Sequence, residues 1–184
     1  AVKPNFVHPD PGPGRGRGEF ALYAGRLSPE KGIRTLLEAW RQLADGPELV
    51  MVGAGPLQRE VEVTCRELPR VRFRGEAQLS DVLSLMAEAS LVVVPSESYE
   101  TFGRVVAEAF AVGTPVVASS IGPLAEMVEP GRNGALVPAG DAEALATTIR
   151  ELWADPGGLA ALRHGARATY EARYTGERNL EILD

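Results

Sequence analysis

Phe20-Ala-Leu-Tyr-Ala-Gly-Arg-Leu-Ser-Pro-Glu-Lys-Gly32 carries the junction from which the architecture follows. Phe20–Ala24 is a short apolar run suited to a buried strand. Downstream, Ile33, Leu36, Leu37, Trp40 and Leu43 recur on one helical face, so Gly25 to Gly32 is a strand-to-helix turn. Ser28 suits the N-cap and Pro29 the first helical position. A capping box would place Glu or Gln at position 31, but the chain has Lys31, and then Gly32, which costs about 1 kcal/mol inside a helix. A cation in a first turn is unfavourable by roughly 0.3–1 kcal/mol unless an anion binds there. Free N–H groups, Arg26 and Lys31 therefore describe a phosphate-sized site, with a solvated turn bearing ordinary surface cations as the alternative.

Outward from this turn, apolar runs alternate with helical patterns. Strands are expected at Phe20–Ala24, Leu49–Val52, Val71–Phe73, Leu91–Val94, Pro115–Ala118 and Ala135–Val137. Helices are expected at Pro29–Ala44, Pro56–Glu67, Ser80–Ala89, Phe102–Val112, Pro123–Val128, Ala142–Ala154 and Gly158–Arg173. This alternation predicts a doubly wound α/β fold, a parallel sheet covered on both faces by right-handed crossovers. Ligands in such sheets sit beyond the carboxyl ends of the strands, where strand order reverses, and the Gly25–Gly32 turn follows a strand end. Val52-Gly-Ala-Gly-Pro56 lacks the spacing of a dinucleotide fingerprint and reads as another tight strand-to-helix turn. Gly12-Pro-Gly-Arg-Gly-Arg-Gly18 precedes the first strand, opens no helix and reads as a flexible loop.

Bulk properties narrow the function classes. A chain of 184 residues suits one α/β domain. No apolar stretch is long enough to cross a bilayer. A net charge of −6 argues against nucleic acid as a partner, so any phosphate must be held locally. The lone Cys65 excludes an intrachain disulfide, fits a reducing cytoplasmic setting and reads as a packing residue. His8 and His164 lie in no metal-ligand or triad pattern.

A second segment, Val94-Pro-Ser-Glu-Ser-Tyr-Glu-Thr-Phe-Gly-Arg-Val-Val-Ala-Glu-Ala-Phe-Ala-Val-Gly113, repeats the logic of the first. Thr101 can cap a helix whose first turn is Phe102-Gly103-Arg104, again placing a glycine and a cation at a helix opening. Two such openings on one sheet edge would suit the two phosphates of a diphosphate. Glu108 stands in an otherwise apolar helix, so it requires a partner, an internal salt bridge or a solvent-facing edge. Glu100 precedes the helix, where negative charge is favourable in any case. At about 1.5 Å per helical residue, the eight residues from Glu100 to Glu108 span roughly 12 Å.

These motifs, together with Gly113-Thr-Pro-Val-Val117 and Gly131-Arg-Asn-Gly-Ala-Leu-Val-Pro138, resemble the carboxy-terminal domain of retaining GT-B glycosyltransferases. That family contains sucrose-phosphate synthases, phosphatidylinositol mannosyltransferases and many lipopolysaccharide transferases. The resemblance runs from about Phe20 to Ala154. It implies a Rossmann-like half of a two-domain enzyme: residues 1–19 a linker remnant, 20–174 the nucleotide-sugar-binding domain, and 175–184 the start of a truncated C-terminal helix. Val2 to Val7 would correspond to the interdomain hinge. By the same resemblance, Arg26 and Lys31 grip the diphosphate, Glu108 the ribose hydroxyls and Glu100 the transferring sugar, with Arg26, Lys31 and Glu100 serving catalysis. Thr101, Phe102, Gly103 and Arg104 would complete the phosphate cradle, and the strand end at Arg74 would hold the nucleobase.

Two positions depart from the family. Ile121-Gly122-Pro123 replaces paired glycines, and Arg104 replaces an aliphatic residue. No Asp-x-Asp element is present, so the expected chemistry needs neither metal nor cofactor. The expected partners are a UDP- or GDP-sugar donor and an amino-terminal acceptor-binding domain, with room for peripheral membrane contact by the full-length enzyme. The fragment alone should be inactive. A nucleotide-sugar epimerase domain, a dinucleotide-dependent oxidoreductase and a non-catalytic interaction domain are the alternatives.

Overall fold

The computed structural model describes residues 6–181, and the side chains of 179–181 are left aside. Residues 2–5 of the hinge-like segment and 182–184 of the terminal helix therefore lie outside the described residues. Six parallel strands, β1 (Phe20–Ala24), β2 (Glu48–Val52), β3 (Val71–Phe73), β4 (Leu91–Val94), β5 (Val116–Ser119) and β6 (Gly134–Val137), form one sheet in the order β3-β2-β1-β4-β5-β6. Strand order reverses between β1 and β4, which places a crevice beyond their carboxyl ends.

Alternation along the strands builds two cores. Leu22, Val50, Val92 and Val116 face one side, where α3 (Leu79–Glu88), α4 (Arg104–Ala111) and α7 (Pro156–Arg173) contribute Met86, Phe110 and Tyr170. Ala21, Tyr23, Leu49, Met51 and Val93 face the other, against α1 (Ile33–Gln42), α2 (Gln58–Glu67) and α6 (Ala142–Trp153). Burial on both faces is why these strands are continuous apolar runs. Asp141 and Asp155 cap α6 and α7, each accepting a backbone N–H at 2.9 Å. At the edges, Arg72 of β3 pairs with Glu48 at 2.7 Å and Arg70 donates to the Gly46 carbonyl at 2.9 Å. The turn opening β6 folds back through a Pro130–Gly134 bridge.

The expected elements are present, with boundaries unchanged or shifted by up to four residues. Two shorter helices complete the set: α5 (Gly122–Met127) and α8 (Gly176–Glu181). The largest departure is the expected helix Pro29–Ala44. Pro29–Lys31 is a 3-10 turn, Gly32 adopts φ 68°, and α1 begins at Ile33. Gly32 is therefore no interior-helix penalty. A Cβ there would sit 1.8 Å from the Pro95 carbonyl oxygen, so the residue sets the approach of the β1–α1 loop to the end of β4.

The Gly12–Gly18 segment is also corrected, from a flexible loop to a docked strap. The amides of Gly14, Gly16 and Gly18 donate to the carbonyls of Val112, Ala87 and Glu88 at 2.8, 2.9 and 2.8 Å. Arg163 fastens the strap from α7, donating to Gly14 and Ala89 carbonyls at 3.3 and 3.0 Å. Burial lowers the pKa of this arginine, as expected for a cation held by carbonyls and without a carboxylate partner among the described residues. Upstream, Arg167 grips Asp10 through two nitrogens at 2.8 and 2.6 Å, and Tyr170 donates to the Val7 carbonyl at 3.0 Å.

Candidate functional site

A cleft of about 510 Å³ opens at the carboxyl edge beside the β1–β4 switch. Gly25 and Arg26 reach it from the β1–α1 loop, Gly53 and Ala54 from the β2–α2 loop, and Arg104 and Glu108 from α4. The same lining includes Ala77, Leu79 and Val82, with Glu76. The cleft thus draws polar and cationic groups from the two loops and α4, and hydrocarbon from residues 77–82.

Loop interlocking builds the polar end. The Gly25 amide donates to the Val52 carbonyl at 3.0 Å, and the Leu27 amide to the Ala54 carbonyl at 2.9 Å. A Cβ on Gly53 would lie 1.8 Å from the Gly25 carbonyl oxygen, so the two loops meet backbone to backbone. Tyr23 donates its hydroxyl to the Arg26 carbonyl at 2.7 Å. Burial, helped by the negative charges of Glu100 and Glu30, keeps that phenol protonated far above its ordinary range. Arg26 itself is exposed, and no hydrogen bond or ion pair to protein ties its guanidinium among the described residues.

Lys31 and Glu100 are brought together, Nζ to Oε1, at 2.8 Å. The same Oε1 accepts a short hydrogen bond from the Ser96 hydroxyl. Ser28, expected as an N-cap, makes no such bond and donates instead to Glu30 Oε1 at 2.6 Å. This follows from the 3-10 geometry, which leaves no α-helical N3 amide in place at Lys31.

Glu108 is 6% exposed and is met by Arg104 Nε at 2.8 Å, an i,i+4 pair in which the arginine side chain is 70% exposed. Burial raises the Glu108 pKa and the guanidinium counters only part of the effect. Its unusual position in an apolar helix is thus resolved by the internal salt bridge, at the cleft wall.

Four expectations for the same segment change in detail. α4 begins at Arg104, with Gly103 at the cap position and no side-chain cap, so Thr101 is an exposed loop residue. Only Arg104 to Glu108 of the Glu100–Glu108 interval is helical, so the 12 Å estimate, which rested on the rise of a continuous helix, does not apply. Gly103 is required by packing: a Cβ there would lie 2.9 Å from Leu124 Cδ2 and 3.1 Å from Met127 Sδ. Phe102 turns from the cleft to stack edge-on against Tyr174, with centroids 6.2 Å apart. Arg74 lines a neighbouring depression of about 370 Å³ with Asp81 and Glu88, sharing Val52 and Ala77 with the main cleft.

Sequence reasoning underweighted the Val52–Pro56 loop and did not single out Ser96 or Tyr23. The loop had a signal in its two glycines after a strand; Ser96 and Tyr23 had none, because their roles depend on partners distant in sequence. Gly131-Arg-Asn-Gly134 proves architectural: buried Asn133 accepts from the Glu129 amide at 2.7 Å and donates to Met127 O and Thr169 Oγ1 at 3.1 and 3.2 Å. Cys65 is half-buried, and burial raises its thiol pKa. Among the described residues, no group of three or more His, Cys, Asp or Glu is disposed to hold a metal ion, and no helix is long and apolar enough to cross a membrane.

Residues 19–155 match the sequence model of the family described as "Glycosyl transferases group 1". A glycogen synthase from Mycobacterium tuberculosis H37Rv is 37% identical over 153 residues, 80% of this chain and 36% of that protein. The phosphatidyl-myo-inositol mannosyltransferase of Mycobacterium leprae is 34% identical over 136 residues, 72% of this chain and 36% of that protein. The chain thus spans about a third of the length of these curated relatives. Among solved structures, Anabaena HepE in complex with UDP is 32% identical with a TM-score of 0.80, over 91% of this chain and 48% of that one. Sucrose-phosphate synthase from Thermosynechococcus elongatus is 36% identical with a TM-score of 0.79, over 90% of this chain and 44% of that one.

Proposed function

The chain belongs to the group 1 glycosyl transferases, and on that premise we propose that it is the donor-binding half of an enzyme moving a sugar from a nucleoside diphosphate sugar to an acceptor, with retention of anomeric configuration. The observation that carries this reading is the cleft at the strand-order reversal, whose lining combines a buried carboxylate, Glu108, the arginines Arg26 and Arg104, and the apolar side chains of Ala77, Leu79 and Val82. Cationic, carboxylate and apolar groups are the three chemistries that the phosphate, ribose and base of a nucleotide require. Solved relatives with UDP, with UDP and glucose, and with UDP-glucose support the donor class.

In this proposal Arg26 and Lys31 hold the diphosphate, Glu108 accepts from the ribose hydroxyls, and Glu100 orients the transferring sugar. Arg104 and the backbone at Thr101, Phe102 and Gly103 border the phosphates, and Arg74 marks the base end. Loss of the diphosphate builds negative charge on its oxygens. Cations stabilise that charge most where water is excluded, so Arg26 and Lys31 lower the barrier as well as bind, without a divalent metal. An acceptor-binding domain in the full-length protein closes over the cleft to exclude water. Residues 1–19 act as the linker to that domain, 20–174 as the donor domain and 175–184 as the start of a terminal helix. On this reading the fragment binds donor and turns over little.

Calorimetric titration with UDP and GDP tests the assignment. One of them should bind, and Lys31→Ala and Glu108→Ala should each weaken it by about ten-fold or more, the loss expected for a charged hydrogen bond. If neither nucleotide binds, or if binding survives both substitutions, the assignment fails.

A further inference from the structure

We propose that Ser96 is a positioning residue for Glu100, holding that carboxylate so that Oε2 is presented to a hydroxyl of the donor sugar. The inference rests on the donor-site reading above. Ser96 lies just past the carboxyl end of β4 and is 1% exposed. Its hydroxyl donates to Glu100 Oε1, the same oxygen that Lys31 Nζ meets at 2.8 Å. A carboxylate oxygen offers two lone pairs, so two donors occupy Oε1. Oε2 has no hydrogen-bond partner among the described residues.

The surrounding backbone is fixed as well. The Glu97 amide donates to the Glu30 carbonyl at 2.9 Å, and Gly32 abuts the Pro95 carbonyl, so the two loops carrying Lys31 and Glu100 move as one. Ser84 donates to the Ser80 carbonyl at 2.9 Å and Ser90 to the Gly18 carbonyl at 2.6 Å, while Ser28, like Ser96, donates to a carboxylate, but to Glu30, which is fully exposed and only two residues away. Ser96 directs its only donor to a side-chain carboxylate in a loop that no regular element constrains. A loop glutamate left free would lose rotamer entropy on ordering around a ligand, and two donors to one oxygen remove that loss in advance. They are not equivalent donors. An ammonium is drawn toward any diphosphate entering the site, whereas a neutral, buried hydroxyl has no competing anion and stays on Oε1.

The test compares UDP with UDP-glucose, and GDP with GDP-glucose, by calorimetry on this chain. The ratio of the two dissociation constants for whichever base binds reports what the sugar adds. Ser96→Ala should leave nucleotide affinity within about two-fold and reduce the sugar's contribution by about five-fold, to the level of Glu100→Ala. In the Glu100→Ala background, Ser96→Ala should change nothing further, because its action passes through the carboxylate. A sugar contribution unchanged in Ser96→Ala, effects of the two substitutions that simply add, or a wild-type ratio of one would each overturn the inference. Should Ser96→Ala lose nucleotide binding altogether, Ser96→Cys, with similar volume and a weaker donor, decides: an intermediate ratio upholds the inference and a wild-type ratio ends it. Absence of nucleotide binding by the wild-type chain would instead bring down the donor-site reading, and this inference with it.

Discussion

The segments Gly12-Pro-Gly-Arg-Gly-Arg-Gly18 and Gly25-Arg-Leu-Ser-Pro-Glu-Lys-Gly32 both combine glycines, a proline and two cations, and the fold uses them for opposite purposes. In the strap every second residue is a glycine; the amides of Gly14, Gly16 and Gly18 bond helix-end carbonyls, and Arg15 and Arg17 are exposed between them. Its fastening cations come from elsewhere, Arg163 and Arg167 of α7. In the β1–α1 loop, glycine also marks backbone approach, at Gly25 against β2 and Gly32 against Pro95, but of the intervening cations Arg26 lines the cleft and Lys31 pairs with Glu100. A glycine beside an arginine therefore signals close packing in both places. Only the position relative to the strand-order reversal separates a seam from a binding loop.

The largest effect expected is from Gly32→Ala. The substitution puts a Cβ on a residue at φ 68° and 1.8 Å from the Pro95 oxygen, so a loss of about 3 kcal/mol or more in urea denaturation, with loss of nucleotide binding, is expected. Gly14→Ala comes next. Its Cβ would meet the Ala87 carbonyl oxygen at 2.2 Å, lifting the strap at a cost of about 1–2 kcal/mol while leaving nucleotide affinity intact. If Gly14→Ala abolished nucleotide binding, the division between seam and site would be broken.

Glu108→Gln sharpens the contrast from the site's side. Burial raises this carboxyl's pKa in the folded state, so its ionised form opposes folding, and the penalty grows as pH rises through that folded pKa. The amide should raise the melting temperature at neutral pH by a degree or two while weakening nucleotide binding, a pattern no strap substitution should produce. The smallest effect concerns Asp10, whose pKa is lowered first by its hydrogen bond from Arg167. Its contribution is present above the unfolded carboxyl pKa and fades as pH falls through the lower folded value. Hydrogen exchange at the Gly14, Gly16 and Gly18 amides should therefore lose protection in acid before the strand amides do. Simultaneous loss would mean the strap is no separate unit.

Much of this architecture was legible because burial on both faces writes strands as unbroken apolar runs, and Ile33, Leu36, Leu37 and Trp40 write a helix face at its own period. The pairing of Lys31 with Glu100 could not be read, since 69 residues separate them. Pro29 suggested a helix start one turn too early, because the same residue also favours a 3-10 turn, and the approach of Pro95 that selects the latter is a tertiary fact. Gly103 drew attention for its missing side chain, and the space a Cβ would take is filled by Leu124 and Met127, a packing requirement that sequence could not show. Glu108 stood out correctly: a carboxylate among Val, Ala and Phe must have a reason, and its arginine lay four residues away on the same helix.

The two sheet edges carry a further consequence, for self-association. β3 is three residues long and bears Arg72, with Arg70 at its start, while the bridge from Pro130 blunts the opening of β6. Neither edge offers a long, flat row of unpaired amides for a second copy to extend. Concentrating the chain, as calorimetry of a weakly bound donor requires, should therefore leave strand-to-strand oligomers out of the tube.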